Sequence, residues 1–528
     1  MVVISGGVSS GKSTLARTLE SKHEFIRLST HELLLGRLGQ NSDRGALQAE
    51  GDRLDQKTGG RWIVEAVTSL PVDETEVSVV VDAVRRKEQI AALRSAFTNR
   101  LVHVHLDAPE EELERRYSRR RRGRRGEMAT YAQVRSNATE AQVASLGIDA
   151  DVLIDTARNT PEDVVVRTEA YLGLGGIGSE RLVDVLVGGE FGSEGKGNIA
   201  AFLAREYGLL VRVGGPNAGH RVSTLTGTEF THRHLPSGTR FSDARLLIGP
   251  GAVLNVDVLL NEISECGLDI DRLTIDPAAM VISQADIRKE RQLVTTIGST
   301  GQGVGTATAR RITGRRGGVQ LAEDIKALKP FLRPAQDVYA QAYASRTKIM
   351  LEGTQGTGLS LFHGSYPHVT SRDTTSAACL SEAGIAPAKV RRVVMVCRTY
   401  PIRVQSPTDR TSGPMSQEIS WTEVARRSGH NPRTLLKHER GSVSGKTRRV
   451  SEFDWVLLRR AATINGATDV ALTFADYLDK ANEHARRFEQ LTIETLRFIE
   501  EMERVARAPV TLISTRFHFR SVIDRRSW

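Results

Sequence analysis

Twice in this chain an apolar, β-branched segment runs directly into a glycine-rich turn and then into a helix-forming stretch. The first copy is VVISGGVSSGKSTLARTLESK from Val2, and the second is LVDVLVGGEFGSEGKGNIAAFLA from Leu182. A strand with no polar alternation is covered on both faces, and the helix after a tight glycine turn must pack back on the same sheet. The pattern therefore predicts parallel α/β architecture. It also places a helix N-terminus at a strand's carboxyl end, where backbone N–H groups converge on an anion.

At 528 residues the chain is large enough for at least two cores. A composition shift near YLGLGGIGSER, 171 to 181, marks a glycine-rich stretch that neither packs nor holds a helix. The reading is a domain over 1–171, a linker over 172–181 and a larger domain over 182–528. Before the linker, MVVIS, VSVVVD and LVHVHLD alternate with helical patterns such as LARTLESK and EEELERRYSRR. After it, LLVRV, ARLLIG, VRRVVMV, ATDVALT and APVTLIS repeat the alternation with longer insertions.

Hydrophobic content of 39% and charged content of 26% describe a soluble globular protein, with no run of about 20 apolar residues to span a bilayer. The N-terminus has no basic region or cleavage site of a secretory signal. Three cysteines, Cys266, Cys379 and Cys397, cannot build a disulfide framework, so a reducing, cytoplasmic compartment is expected. A net charge of +10 suits nucleic acid and phosphorylated small molecules equally. Much of it lies in RRYSRRRRGRRG, Arg115 to Gly126, which fits a phosphate backbone, a flap over a nucleotide, or a solvated helix face.

Gly6 to Ser13 fit G-x-x-x-x-G-K-[ST] between a strand and a helix. Gly6 and Gly11 let backbone amides approach phosphate oxygens, Lys12 neutralises charge, and Ser13 ligates Mg²⁺, with Asp82 at the end of VSVVVD in the metal's shell. VVDAVRRKEQIAALR and LQAEGDRLDQKTGGRW resemble small nucleotide kinases of the P-loop class. That resemblance implies that Arg85, Arg119 and Arg122 neutralise a transferred phosphate, with surface ion pairs as the plain alternative for each. A (deoxy)nucleoside monophosphate kinase and an ATP-gated regulatory module both remain open.

In the second domain the glycine loop is followed by LLVRVGGPNAGHRV, IGSTGQGVG, LEGTQGTGL, SYPHVTSRDTT, GSVSGKTRR and ALTFADYLD. In this order, from about 183 to 520, they resemble the adenylosuccinate synthetase family. The fold so implied is an N-terminal P-loop kinase-like domain with a parallel sheet, fused to a larger P-loop-related α/β ligase domain. Those enzymes transfer a γ-phosphate to the 6-oxygen of a purine nucleotide and let aspartate's amine displace it. By resemblance, Glu194, Gly195, Lys196 and Gly197 hold phosphates, His220 donates to the γ-phosphoryl group, and Gly219 offers its carbonyl to Mg²⁺. Asn217, Thr300, Gln355 and Thr370 line the purine monophosphate site, with Arg315 near a subunit-crossing arginine, which implies a homodimer. Val443, Ser444, Gly445, Lys446 and Arg448 bind aspartate, because a guanidinium presents a fork to a carboxylate.

Departures from the family pattern cluster at recognition. Most members read GDEGKG, whose aspartate accepts the N1 proton and touches Mg²⁺; here that position is Ser193. A serine hydroxyl titrates far above neutrality and is a poor base, but it leaves room beside C2 for a 2-amino group. The guanine-reading TKxD is Thr473-Phe474-Ala475-Asp476, and STGPDR is STRFHF, Ser514 to Phe519. Without the stacked lysine, ATP or dATP is expected as donor, with Phe474 on the adenine and Asp476 at the base. Lys446 replaces the arginine that reaches the ribose. The combination resembles the phage branch that makes 2-aminoadenine DNA, so catalytic Ser193 and His220 are expected to join dGMP to L-aspartate. An ordinary adenylosuccinate synthetase using IMP and GTP is the nearest alternative. A nucleic-acid-binding ATPase is the alternative from another class and is disfavoured because Lys196, His220, Gln355 and Arg448 are all present. No membrane association is expected.

Overall fold

The computed structural model describes residues 1–39, 44–70, 78–121, 130–135, 142–174, 180–223, 228–315, 317–439 and 447–527. The chain divides into two compact units, Met1–Ile177 and Gly178–Trp528. Half of the stretch expected to link them, 175–179, lies outside the described residues.

The first unit carries strands β1 (Val2–Gly6), β2 (Ile26–Ser29), β3 (Val79–Asp82), β4 (Val102–Asp107) and β5 (Val152–Asp155) in one sheet of order β2-β3-β1-β4-β5. Every pairing is parallel, with Val2 opposite Val80 and Val3 opposite Val81. The two-residue side-chain period then sorts the valines: Val3 and Val81 pack with Trp62, Ile63 and Leu93, while Val2, Ile4 and Val80 pack with Leu15, Leu19 and Val164. Helices thus cover both faces, as the unbroken apolar runs predicted. Gly6 has φ +140°, and a Cβ there would stand 2.2 Å from the Leu106 carbonyl, so only glycine lets the loop leave β1 at that angle.

The second unit is built the same way on a larger scale. Its strands are β6 (Val183–Gly188), β7 (Leu209–Arg212), β8 (His220–Ser223), β9 (Glu229–His232), β10 (Arg245–Ile248), β11 (Val253–Leu254), β12 (Leu273–Ile275), β13 (Met280–Val281), β14 (Ile349–Glu352), β15 (Val390–Arg398), β16 (Ile402–Arg403), β17 (Glu418–Ile419), β18 (Arg449–Ser451), β19 (Asp469–Thr473), β20 (Val510–Ser514) and β21 (Val522–Asp524). Nine of them form a sheet of order β12-β10-β7-β14-β6-β15-β19-β20-β21, parallel except for the last pair. Val183, Val185 and Val187 face one core, and Leu186 faces the other. The site loops all leave the carboxyl edge of this sheet, where open α/β folds bind ligands.

One buried amide ties the loop after β14 to the helix Trp455–Asn465. Asn465 accepts from the Ser376 N–H at 2.9 Å and donates to the Thr357 hydroxyl and the Ala461 carbonyl, each at 2.8 Å. Asn465→Leu leaves these groups unpaired in the interior and is expected to destabilise the unit by about 2–3 kcal/mol, read from the urea midpoint.

Candidate active site

The loop after β6 turns through Gly192 (φ +96°) and Gly195 (φ +86°) into the helix Lys196–Leu203. Glu194 is fully buried inside the loop: its carboxylate accepts from the Gly192 N–H at 2.7 Å and the Glu190 N–H at 3.1 Å, and from Lys196 Nζ at 2.6 Å. Lys196 and the loop amides, expected to meet phosphate, are thus gathered around an internal anion. Ser193 is half-buried and its carbonyl accepts from Arg398 Nη1 at 3.3 Å; no hydrogen bond reaches its hydroxyl among the described residues.

Parallel pairing of β7 and β14 sets Arg212 directly opposite Glu352. Arg212 Nη1 donates to Glu352 Oε1 at 2.8 Å, His220 Nδ1 bonds the same oxygen, and the Ser237 N–H donates to Oε2 at 2.7 Å. Burial pushes the Glu352 carboxyl up, but Arg212 and His220 hold it down to about 2. Burial first, then Arg212, pushes the His220 imidazole down to about 3. Among the described residues His220 Nε2 is buried without a partner, so the ring offers one nitrogen to a ligand while Glu352 fixes the other. Gly219 directly precedes His220 at the start of β8.

Of the residues expected around the purine monophosphate, Asn217 Nδ2 donates to Thr370 Oγ1 at 3.4 Å, and Asn217 Oδ1 is buried without a partner. Gln355 is buried at φ 58°, and its Oε1 accepts from the Thr354 hydroxyl at 2.9 Å and from Arg372 Nη1 at 3.4 Å. Thr300 is half-buried and joins this pair through no hydrogen bond among the described residues. Arg315 is exposed just past the helix Val304–Thr313.

Val443, Ser444, Gly445 and Lys446 lie outside the described residues. Arg448, the remaining residue expected at the aspartate site, meets Glu439 Oε2 at 3.2 Å. Glu439 is buried and also takes Arg398 Nη2 at 3.0 Å and the Tyr477 hydroxyl at 2.7 Å, so burial that would raise its carboxyl is overcome by two guanidinium groups. Phe474 is not a free stacking plate. Its ring packs in a cluster with Tyr400, Trp421 and Tyr477, with the Arg398 guanidinium 4.2 Å over it and Phe517 stacked at 6.2 Å. Asp476 lies beside His430, Oδ2 to Nε2 3.4 Å, and its Oδ1 has no partner.

In the first unit Lys12 Nζ donates to the Gly6 and Gly7 carbonyls at 2.8 and 2.6 Å. Ser13 Oγ donates to Asp82 Oδ1 at 3.4 Å, and Arg27 meets Asp82 Oδ2 at 3.2 Å. A hydroxyl and a carboxylate side by side are the hard oxygen donors that Mg²⁺ takes. Arg85 is half-buried and Arg119 exposed, while Arg122 lies outside the described residues. Within the basic run, Arg115 and Arg116 pair with Glu112 at 2.6 and 2.7 Å, so its first turn is a helix face of ion pairs.

Glu352, Arg212, Arg398, Glu439 and Phe517 were not singled out from the sequence. Glu352 sits inside LEGTQGTGL and Glu439 just before GSVSGK, so proximity to a recognised motif was the available signal.

A phosphate loop on a parallel sheet, a histidine with one nitrogen free, and arginine clusters at the same edge define a nucleotide-dependent, phosphoryl-transferring α/β enzyme. The adenylosuccinate synthetase family model matches residues 185–323 and 318–484, and an AAA domain model matches residues 1–146. The chain belongs to the adenylosuccinate synthetase family, and its second unit is an adenylosuccinate synthetase-like ligase. The adenylosuccinate synthetase of Archaeoglobus fulgidus is 38% identical over 348 residues, 65% of this chain and 98% of that protein. That of Methanocaldococcus jannaschii is 36% identical over 352 residues, 65% and 96%. Among solved structures, cyanophage S-2L succinoaminodeoxyadenylate synthetase (PurZ), bound to dGMP and dATP as an energy donor, superposes with TM-score 0.56 at 28% identity. The match covers 66% of this chain and 96% of PurZ. Fully ligated adenylosuccinate synthetase from Plasmodium falciparum shares the fold, with TM-score 0.55 at 19% identity, over 65% of this chain and 100% of that one. Among the described residues no helix is long and apolar enough to cross a membrane.

Burial also pushes His232 down to about 4 and His234 to about 3, and His234 Nε2 accepts from the Asn255 N–H at 3.2 Å, which requires that nitrogen unprotonated. A depressed histidine contributes stability that is full above the ordinary value of 6.5 and is lost as pH falls toward the folded value, because the unfolded chain then binds more protons. Urea midpoints are expected to fall between pH 7 and pH 5, on the order of 1–2 kcal/mol for each of the three rings.

Proposed function

We propose that the ligase unit joins L-aspartate to C6 of dGMP with ATP or dATP as phosphoryl donor, giving N6-succino-2-amino-2'-deoxyadenylate for 2-aminoadenine DNA. The observation that carries this reading is Ser193, a short side chain with an unengaged hydroxyl where the family places a carboxylate. An aspartate there would crowd and repel nothing on hypoxanthine, but a guanine carries a 2-amino group beside the same edge. The resemblance to PurZ, a protein bound to dGMP and dATP, supports the same substrates.

In this reading N1 gives up its proton to a water or through the Ser193 hydroxyl, O6 of the purine attacks the γ-phosphorus, and the bond to the β-phosphate oxygen breaks, releasing ADP or dADP. Aspartate's amine then adds at C6, loses a proton, and expels phosphate, a far better leaving group than a carbonyl oxygen. His220 faces the γ-phosphoryl group with Nε2, held by Glu352 through Nδ1. An approaching triphosphate favours the imidazolium, which lets that nitrogen donate to developing charge. Lys196 and the loop amides take phosphate oxygens when they release Glu194. Arg448 takes a carboxylate of aspartate, and Asn217, Thr300, Gln355 and Thr370 bind the monophosphate. Ser193 and Gly219 would hold Mg²⁺ through neutral oxygens, and the ion would neutralise charge on the phosphates. A subunit-crossing role for Arg315 in a homodimer belongs to the same reading.

The archaeal relatives favour a second reading, an ordinary synthetase using IMP and GTP. Purified protein given dGMP or IMP, each with aspartate and either ATP or GTP, is expected to release phosphate fastest with dGMP and ATP. Faster turnover of IMP with GTP rejects the dGMP assignment. Ser193→Asp is expected to shift the ratio of kcat/KM for dGMP over IMP toward IMP by about tenfold or more.

We assign the first unit to phosphoryl transfer onto a (deoxy)nucleoside monophosphate, supported by Lys12 in its loop and by the Ser13–Asp82 pair. Lys12→Ala is expected to abolish the steady-state, nucleoside monophosphate-dependent ADP formation measured without aspartate and to leave succinyl transfer intact. Equal loss of both activities would mark a gating module instead.

A further inference from the structure

Asp476 lies in the turn Ala475–Tyr477, three residues beyond Thr473, whose hydroxyl bonds the Glu194 carbonyl of the phosphate loop at 2.5 Å. It therefore stands at the same sheet edge as the phosphates, and it is 5% exposed. Its two carboxylate oxygens differ. Oδ2 lies 3.4 Å from His430 Nε2, and the same ring nitrogen lies 3.1 Å from the Asp476 carbonyl. Oδ1 is buried with no hydrogen-bond partner among the described residues. Interior carboxylate oxygens are almost always paired, so a lone one beside a phosphate loop is an acceptor waiting for a ligand's donor.

His430 follows the helix Trp421–Ser428 and its end residue Gly429, and the ring is fixed edge-on against Tyr477 at 5.7 Å. Glu483 Oε1 lies 3.9 Å from its other nitrogen. The hydrogen bond to Asp476 raises the His430 imidazole above its ordinary value, against its burial. A carboxylate thus stands near each ring nitrogen, and of the two Asp476 oxygens it is Oδ2 that has the His430 ring against it.

We propose that His430 is a specificity-determining residue for the donor nucleotide. By occupying one oxygen of Asp476 it leaves a single acceptor, which matches the exocyclic amino group of adenine. Guanine presents two adjacent donors, N1–H and N2–H, and needs both oxygens of one carboxylate; here the second is taken, and one donor is buried unpaired. This inference rests on the assignment of Asp476 to the donor base and of ATP or dATP as donor.

The test measures kcat/KM for ATP and for GTP at saturating monophosphate and aspartate, in the full-length wild type, His430→Ala and His430→Gln. Wild type is expected to prefer ATP. His430→Ala frees Oδ2 and is expected to lower the ATP-to-GTP ratio about tenfold or more, mainly through the donor KM, with KM for dGMP and aspartate unmoved. His430→Gln, which keeps an N–H within reach of Oδ2, is expected to retain most of the preference. Should the alanine variant fail to fold, His430→Phe fills the same space against Tyr477 without a donor and takes its place. A wild type that prefers ATP and a folded donor-less variant with the same ratio would overturn the role of His430 alone. A wild type that turns over GTP faster overturns the donor assignment and this inference together.

Discussion

A single buried carboxylate organises the catalytic edge of the ligase unit. Glu352 ends β14 and gathers Arg212 from β7, His220 from β8 and the Ser237 backbone, so four segments separated by up to 140 residues share one anion. An ion pair in the interior contributes little net stability compared with a well-packed apolar replacement, but breaking it by removing one partner strands a charge. The arrangement therefore enforces geometry more than it adds stability. It also fixes which histidine nitrogen faces the ligand, and that depends on strand register before any substrate arrives.

Much of the architecture was legible because it is local. Strands such as Val183–Gly188 read as continuous apolar runs, and the two glycine loops declare their position by spacing, so the α/β class, the phosphate loops and the family followed from short segments. The roles of Glu352, Arg398 and Glu439 were not legible, because each depends on partners brought together by sheet order. Phe474 illustrates the difference. The sequence offered an aromatic where a lysine was expected and suggested stacking, whereas the fold covers one face with Arg398 and builds the ring into a cluster. Its neighbour Phe517, from the late segment that also departs from the family pattern, is only half-buried.

The two glycine loops solve one problem differently. In the first, Lys12 Nζ donates to the Gly6 and Gly7 carbonyls. In the second, Lys196 is bound to a full carboxylate, Glu194, in a dry setting. If donor phosphates enter the second loop, as proposed above, they exchange one anion for another, so part of their electrostatic gain offsets the loss of an existing ion pair.

The large sheet ends at one side on β12, three residues long, and at the other on β21, the antiparallel strand Val522–Asp524. Beyond β21, Arg525 and Arg526 are spent on Glu503, Asp524 and Glu206. Short borders flanked by charge offer poor templates for a foreign strand, which keeps a nine-stranded platform from polymerising through its own backbone. At this sheet, then, main-chain pairing that accepts any strand is held off at both borders.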